Sequence, residues 1–440
     1  MPDQDLPHEP CPVPVPAVSA TLAANETLAR KRREGVRVLP LAFGEAGLPV
    51  HPALRRELAG AAGLGGYGPV AGSAALRSAA AGYWTRRGLP TDPDQMVCGP
   101  GSKALLYVLL LALGGDVVVP RPSWVSYAAQ AALCGTRPVF VPTLPGEGGV
   151  PDPDLLADAV VRGRAAGRDI RTVVVTLPDN PTGTLATERT VRRLCRVARE
   201  HGLTIISDEI YRDLVHEPGR GVAGPARFAP ERTVTTTAIS KNLALGGWRL
   251  GVARLPEGPA GDALRASLLG TASEIWSTAP APVQQAAAYA FAEPPELVEH
   301  IERSRRLHAA VAAAVAGRFA AAGARVPAPQ AGFYVYPDLE PLRDRLGAAT
   351  GVELAESLLE RYGVGTLPGS AFGEPAAALR LRVATSLLYG ETDELRLAAL
   401  DAPDPLVLPW ISGALDRLSE VLAEATALPR SGHPVATAAG

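Results

Sequence analysis

The chain has 440 residues, enough for two domains with separate cores, and its 47% apolar and 20% charged residues are the balance of an ordinary globular protein. With 43 basic and 45 acidic residues the formal charge is −2, so no overall field favours nucleic acid or an anionic membrane as a partner. The cysteines (Cys11, Cys98, Cys134, Cys195) form no CxxC pair and no metal-ligand spacing, which argues against a metal site and for reduced thiols in a cytoplasmic protein.

The first residues, MPDQDLPHEPCPVPVP, carry acids and prolines where a signal peptide needs a basic start and an apolar run. Residues 1–20 are expected to form a Pro-rich extended tail, and residues 429–440 a disordered one. The longest apolar stretch, 104–113, is too short to span a bilayer. Short β-rich runs follow at 117–119, 138–141, 172–176, 204–207, 233–237 and 250–254, with helical patterns at 102–113 and 188–201 among them. Strands about 30 residues apart with helices between them predict an α/β fold around a mostly parallel sheet. Ligands of such sheets sit beyond the carboxyl ends of the strands. After about residue 290 the pattern changes to long helices, then a strand at 332–336, a helix at 352–362 and a strand at 379–384. That region reads as a smaller α+β domain. The expected division is an N-terminal segment of the small domain at 21–50, a large domain at 51–300 and a small C-terminal domain at 301–428.

Candidate chemistry lies just after the strands. Ser240-Lys241 follows an apolar run and precedes Gly246-Gly247-Trp248-Arg249. A lysine there is either an ordinary surface lysine or a desolvated one, and desolvation makes an amine nucleophilic. Arg249 on a glycine-rich loop suits a phosphate. Asp208-Glu-Ile-Tyr211 follows the strand at 204–207, where an acid is a metal ligand, a helix cap or the partner of a cationic heterocycle. Asn180-Pro-Thr-Gly follows 172–176 and also reads as a turn. Gly99-Pro100-Gly101-Ser102-Lys103 opens the helix at 102–113, and helix starts attract anions.

Taken together and in this order, Asn180-Pro-Thr-Gly, Asp208-Glu-Ile-Tyr211, Ser240-Lys241 and Gly247-Trp248-Arg249 resemble the pyridoxal 5′-phosphate (PLP) enzymes of fold type I, within the aspartate aminotransferase family. The resemblance runs from about Leu41 to Ser386. It implies that Lys241 holds the cofactor as an imine and moves the substrate's proton, and that Asp208 pairs with the pyridinium nitrogen. Asn180 and Tyr211 would bond the ring's 3′-oxygen. Trp124 would stack on the ring, and Gly101, Ser102, Lys103, Ser240 and Arg249 would surround the phosphate. Tyr67, in YGPVAGSAALR, matches a tyrosine that reaches the cofactor of the neighbouring subunit, which implies a homodimer. Arg380, in RLRVATS, matches the family's α-carboxylate clamp and is chosen over Arg382, with Gly44, Trp124 and Asn180 beside the substrate.

The chain also departs from the family. Ala238 stands where many members have a phosphate-binding serine, with Thr237 or Ser240 as substitutes, and Leu177 stands where asparagine is common. Ser102 stands where some prokaryotic members have a lysine for a distal carboxylate, so aspartate is not expected to be preferred. Residues 272–291 and an apparent insertion at 391–410 suggest a less-studied branch. The expected activity is amino transfer between an L-amino acid and a 2-oxo acid. Another PLP reaction (elimination, replacement, cyclisation or oxidation) is the first alternative, and a non-catalytic ligand sensor the remote one.

Overall fold

The computed structural model describes residues 20–427, so the two expected tails lie outside the described residues apart from Ala20. Eight strands form the main sheet, in the spatial order Met96–Gly99, Gly251–Arg254, Thr233–Ala238, Thr204–Asp208, Ile170–Thr176, Asp116–Arg121, Pro138–Leu144 and Glu147–Pro151. Neighbouring strands from Thr233–Ala238 through to Pro138–Leu144 pair in parallel, while Gly251–Arg254 and Glu147–Pro151 join antiparallel. Runs such as VVV in 116–121 and VTTT in 233–238 are β-branched and almost fully buried, as strands covered on both faces must be.

Helices fill both faces. Ser102–Leu113 buries Leu105, Leu106, Val108 and Leu109 against the sheet. It starts after Gly101 at φ +89° and stops at Gly114 at φ +61°, backbone conformations that side-chain-bearing residues avoid. On the opposite face, Glu188–Glu200 turns Val191, Leu194 and Ala198 inward and its arginines outward.

A second apolar core joins Leu39, Leu41 and Leu48 to Leu307, Val311, Val315, Phe319, Leu381 and the last helix, Pro409–Thr426. Two small sheets sit here. Leu39–Pro40 pairs in parallel with Val364–Gly365, and Leu381–Ala384 lies between Tyr334–Val335 and Leu367–Pro368. The expected boundary at 300/301 falls inside one unbroken helix, Pro295–Ala321. Its Leu297 packs with the core that holds Leu54, Trp84 and Phe291, and its later turns pack with the second core. The segment at 391–410 forms the helix Asp393–Asp401, started by the Thr392 hydroxyl accepting from the Leu395 amide and packed through Ala399 and Leu400. No helix among the described residues is long and apolar enough to cross a membrane.

Candidate active site

The parallel strands all deliver their carboxyl ends to one edge of the sheet, and a cleft of ≈ 510 Å³ opens there. Thr233–Ala238 is followed at once by the short helix Ile239–Asn242, which carries Lys241 into the cleft. The Lys241 Nζ donates to the Gly44 carbonyl at 2.5 Å. Burial is the largest influence on this amine. With Arg382, Arg249 and Lys103 nearby it outweighs the pull of Glu45 and brings the amine's pKa down to about 8. Such an amine is neutral often enough near pH 8 to act as a nucleophile or base.

Asp208 ends the strand Thr204–Asp208 and lies buried at the floor. Its carboxylate accepts from the Tyr127 hydroxyl at 2.9 Å and the Thr236 hydroxyl at 3.2 Å, and Tyr127 also bonds Thr176 at 2.8 Å. No cation pairs with it among the described residues. Burial therefore dominates over these hydrogen bonds and pushes the carboxyl up to about 6. A carboxyl raised above its unfolded value favours the fold while protonated, so its contribution is complete below about pH 4 and is lost as pH rises through about 6. Asp208→Asn is thus expected to stabilise the cofactor-free protein at pH 8, by up to about 2–3 kcal/mol, and to add nothing at pH 4. Denaturant melts at the two pH values check this, and equal midpoints for both proteins at pH 8 would contradict it.

One wall of the cleft is cationic and backed by glycines. Gly101 lies so close to Arg249 that a Cβ there would strike the guanidinium, and a Cβ on Gly251 would meet the Ser102 amide at 2.5 Å. Arg249 adopts φ +54° and is held by the carbonyls of Gly246 at 3.0 Å and Pro100 at 3.4 Å. Ser102 and Ser240 also line the cleft. Of the two substitutes for a serine at 238, Ser240 faces the cleft, whereas the Thr237 hydroxyl turns to the Glu209 carbonyl at 3.5 Å. Lys103 also reaches the cleft, with Nζ 5.1 Å from the Trp124 ring centroid. Burial and then Arg249 lower its pKa. A lysine in the first turn of a helix opposes the macrodipole, and this one has no ion-pair partner among the described residues. A cation held at such a cost calls for an anionic ligand.

The facing wall carries Asn180, Tyr211, Tyr334 and Arg382. The Tyr211 and Tyr334 hydroxyls are 2.8 Å apart. A Cβ on Gly44 would collide with the Tyr334 hydroxyl, so the close approach requires glycine. Arg382 is fully buried. It donates to the Asn180 side chain at 3.5 Å and to the Ala42 carbonyl, and its guanidinium sits 5.0 Å from the centroid of the Tyr334 ring.

Arg380, expected as the clamp, does not line the cleft, whereas Arg382 does. Residues two apart on a strand share a face but stand about 6.6 Å apart along it, and only Arg382 reaches the cleft. Arg380 is drawn away by Glu374 at 2.8 Å and Asp338 at 3.7 Å. Tyr67 is 92% exposed and does not line the cleft of its own chain. Trp124 does line it, edge-on to Tyr127 with centroids 5.2 Å apart. Sequence reasoning missed Tyr127 and Tyr334. Tyr127 stands one helical turn from Trp124, a usable signal, but Tyr334 reaches Tyr211 only through the tertiary fold.

Comparison with known proteins is consistent with this arrangement. The profile of the family described as Aminotransferase class I and II matches residues 39–392. An aspartate/prephenate aminotransferase of Thermus thermophilus is 35% identical over 383 residues, 84% of this chain and 92% of that protein. An aspartate aminotransferase of Geobacillus stearothermophilus is 32% identical over 385 residues, covering 85% and 94%. The solved structure of the Thermus thermophilus aspartate aminotransferase with maleate superposes with a TM-score of 0.77 at 29% identity, covering 92% of this chain and 97% of that one.

Proposed function

The chain belongs to the class I and II aminotransferases, and from that premise we propose that it moves an amino group from an L-amino acid to a 2-oxo acid with pyridoxal 5′-phosphate bound at Lys241. The observation that carries this reading is the buried Asp208 carboxyl, which has no cationic partner among the described residues and lies in the cleft that holds Lys241. A protonated ring nitrogen would supply that partner. Ser102, Ser240 and Arg249 fit the phosphate, Asn180 and Tyr211 fit the ring's 3′-oxygen, and Trp124 fits the ring face. When bound, the cofactor supplies the electron sink that makes the substrate's Cα–H bond acidic.

The chain's own residues do the rest. Arg382 takes the α-carboxylate, which fixes the Cα–H bond relative to Lys241. Lys241, with its lowered pKa, removes and returns the proton at Cα. Tyr334 holds the Tyr211 hydroxyl in place. The expectation that aspartate lacks a distal cation is offset by Lys103, one position on from Ser102 and within the cleft. We therefore include dicarboxylic amino acids among the donors, in keeping with the names of the relatives.

The test is a single half-reaction. Purified holoenzyme given a donor and no acceptor is expected to release one 2-oxo acid per site and stop. Continued consumption of the donor would replace transamination with an elimination, cyclisation or oxidase reading.

The exposure of Tyr67 supports a homodimer in which it serves the other subunit's site. Tyr67→Phe should then weaken cofactor retention, and a fully active monomer in sedimentation would contradict the shared site. The buried thiols of Cys98 and Cys195 fit a reducing cytoplasm.

A further inference from the structure

A second recess, of ≈ 580 Å³, lies beside the catalytic cleft. Three stretches of chain line both. Asn180, Tyr334 and Arg382 face the cleft, while Thr182, Tyr336 and Arg380, each two residues away, face the recess. None of its lining residues belongs to the catalytic constellation.

The recess holds more positive charge than its own acids neutralise. Asp338 lies 3.3 Å from Arg325 and 3.7 Å from Arg380, and Glu374 lies 2.8 Å from Arg380. Those two carboxylates offset those two arginines. Arg121 lines the recess as a third cation and has no ion-pair partner among the described residues. Tyr336 lines it too, only 5% exposed, and its hydroxyl has no hydrogen-bond partner among the described residues. A buried hydroxyl left without a partner costs free energy that a ligand acceptor would recover. The remaining wall is largely apolar, with five prolines that include Pro122 and Pro327. Rigid apolar walls with a few convergent polar groups describe a small-molecule site.

We propose that this recess binds a compact organic acid, with its carboxylate on Arg121 and the Tyr336 hydroxyl and its apolar body among the prolines. The site stands independently of the transamination reading. Because its walls continue into Asn180, Tyr334 and Arg382, an occupant would also stiffen the cleft next to it.

Calorimetric titration of the holoenzyme with benzoate tests the site. Saturable binding is expected that weakens by about tenfold in Arg121→Gln, where a charge-assisted hydrogen bond is lost, and also weakens in Tyr336→Phe. It should persist in Arg382→Ala, which removes the cation of the catalytic cleft. Circular dichroism confirms that each variant is folded, and Tyr336→Phe, the gentlest change, keeps the test decisive if Arg121→Gln is unstable. Binding that disappears in Arg382→Ala and survives Arg121→Gln and Tyr336→Phe would assign benzoate to the catalytic cleft and overturn the proposal. Absence of saturable binding to the wild-type holoenzyme would overturn it as well.

Discussion

Lys241→Ala is expected to lower turnover by at least about 10⁴-fold, the upper range for loss of a positioned acid–base group, while the protein stays folded. In the proposed reading the amine is both the nucleophile of the cleft and its proton carrier, so both tasks vanish together. Folding should survive, because among the described residues the side chain makes a single hydrogen bond, to Gly44, and its desolvation opposes the charged form. Removing it even relieves repulsion, since Arg382, Arg249 and Lys103 all press on the same amine. Steady-state rates alongside thermal melts separate the two effects. A variant that turns over within tenfold of wild type would remove Lys241 from the mechanism.

The second large effect separates two arginines. Arg382→Ala should lower kcat/KM for every amino-acid donor by about 10²–10³-fold, the equivalent of roughly 3–4 kcal/mol for a lost bidentate, charge-assisted pair. Both kcat and KM should suffer, because an unanchored carboxylate leaves the Cα–H bond misaligned with Lys241. Arg380→Ala should change kcat/KM by less than about threefold, the scale of a partly exposed ion pair, and lower stability instead, because Glu374 is left buried without its partner. The reverse ranking of the two variants would show that the guanidinium in the cleft is not the carboxylate clamp.

Local punctuation made much of this fold legible. The helix Ser102–Leu113 is readable to the residue because Gly101 and Gly114 bracket it and its residues 104–113 are an unbroken apolar run. The parallel strands are readable because burial on both faces demands β-branched sequence. Met96–Gly99 and Glu147–Pro151 were not read as strands. They are short, carry glycine, and owe their conformation to pairing with Gly251–Arg254 and Pro138–Leu144. The long helix Pro295–Ala321 crosses the expected domain boundary because its apolar stripe serves two cores in succession.

The places of Lys241 and Asp208 in the cleft were legible for a related reason: one follows a buried strand and the other ends one, where a charge is out of place unless it has work to do. Arg380 and Arg382 could not be told apart by pattern, since both fall on one face of the strand expected at 379–384. The carboxylates that claim Arg380, Glu374 and Asp338, come from elsewhere in the chain. Lys103 was ambiguous for another reason, as a long side chain in a first turn can snorkel to water or fold inward. Here it folds inward over Trp124.

The chain offers an unusually clean test of its central assignment, because it contains three lysines, Lys31, Lys103 and Lys241. Lys31 is paired with Glu360 at 2.7 Å, and Lys103 lines the same cleft as Lys241. Borohydride reduction of the holoenzyme fixes the cofactor to whichever lysine holds it, and peptide mass mapping then reads the position. The label is expected on Lys241, at close to one per chain, with none on Lys31 or Lys103. A label on Lys103, or a holoenzyme that reduction leaves unlabelled, would contradict the assignment of Lys241.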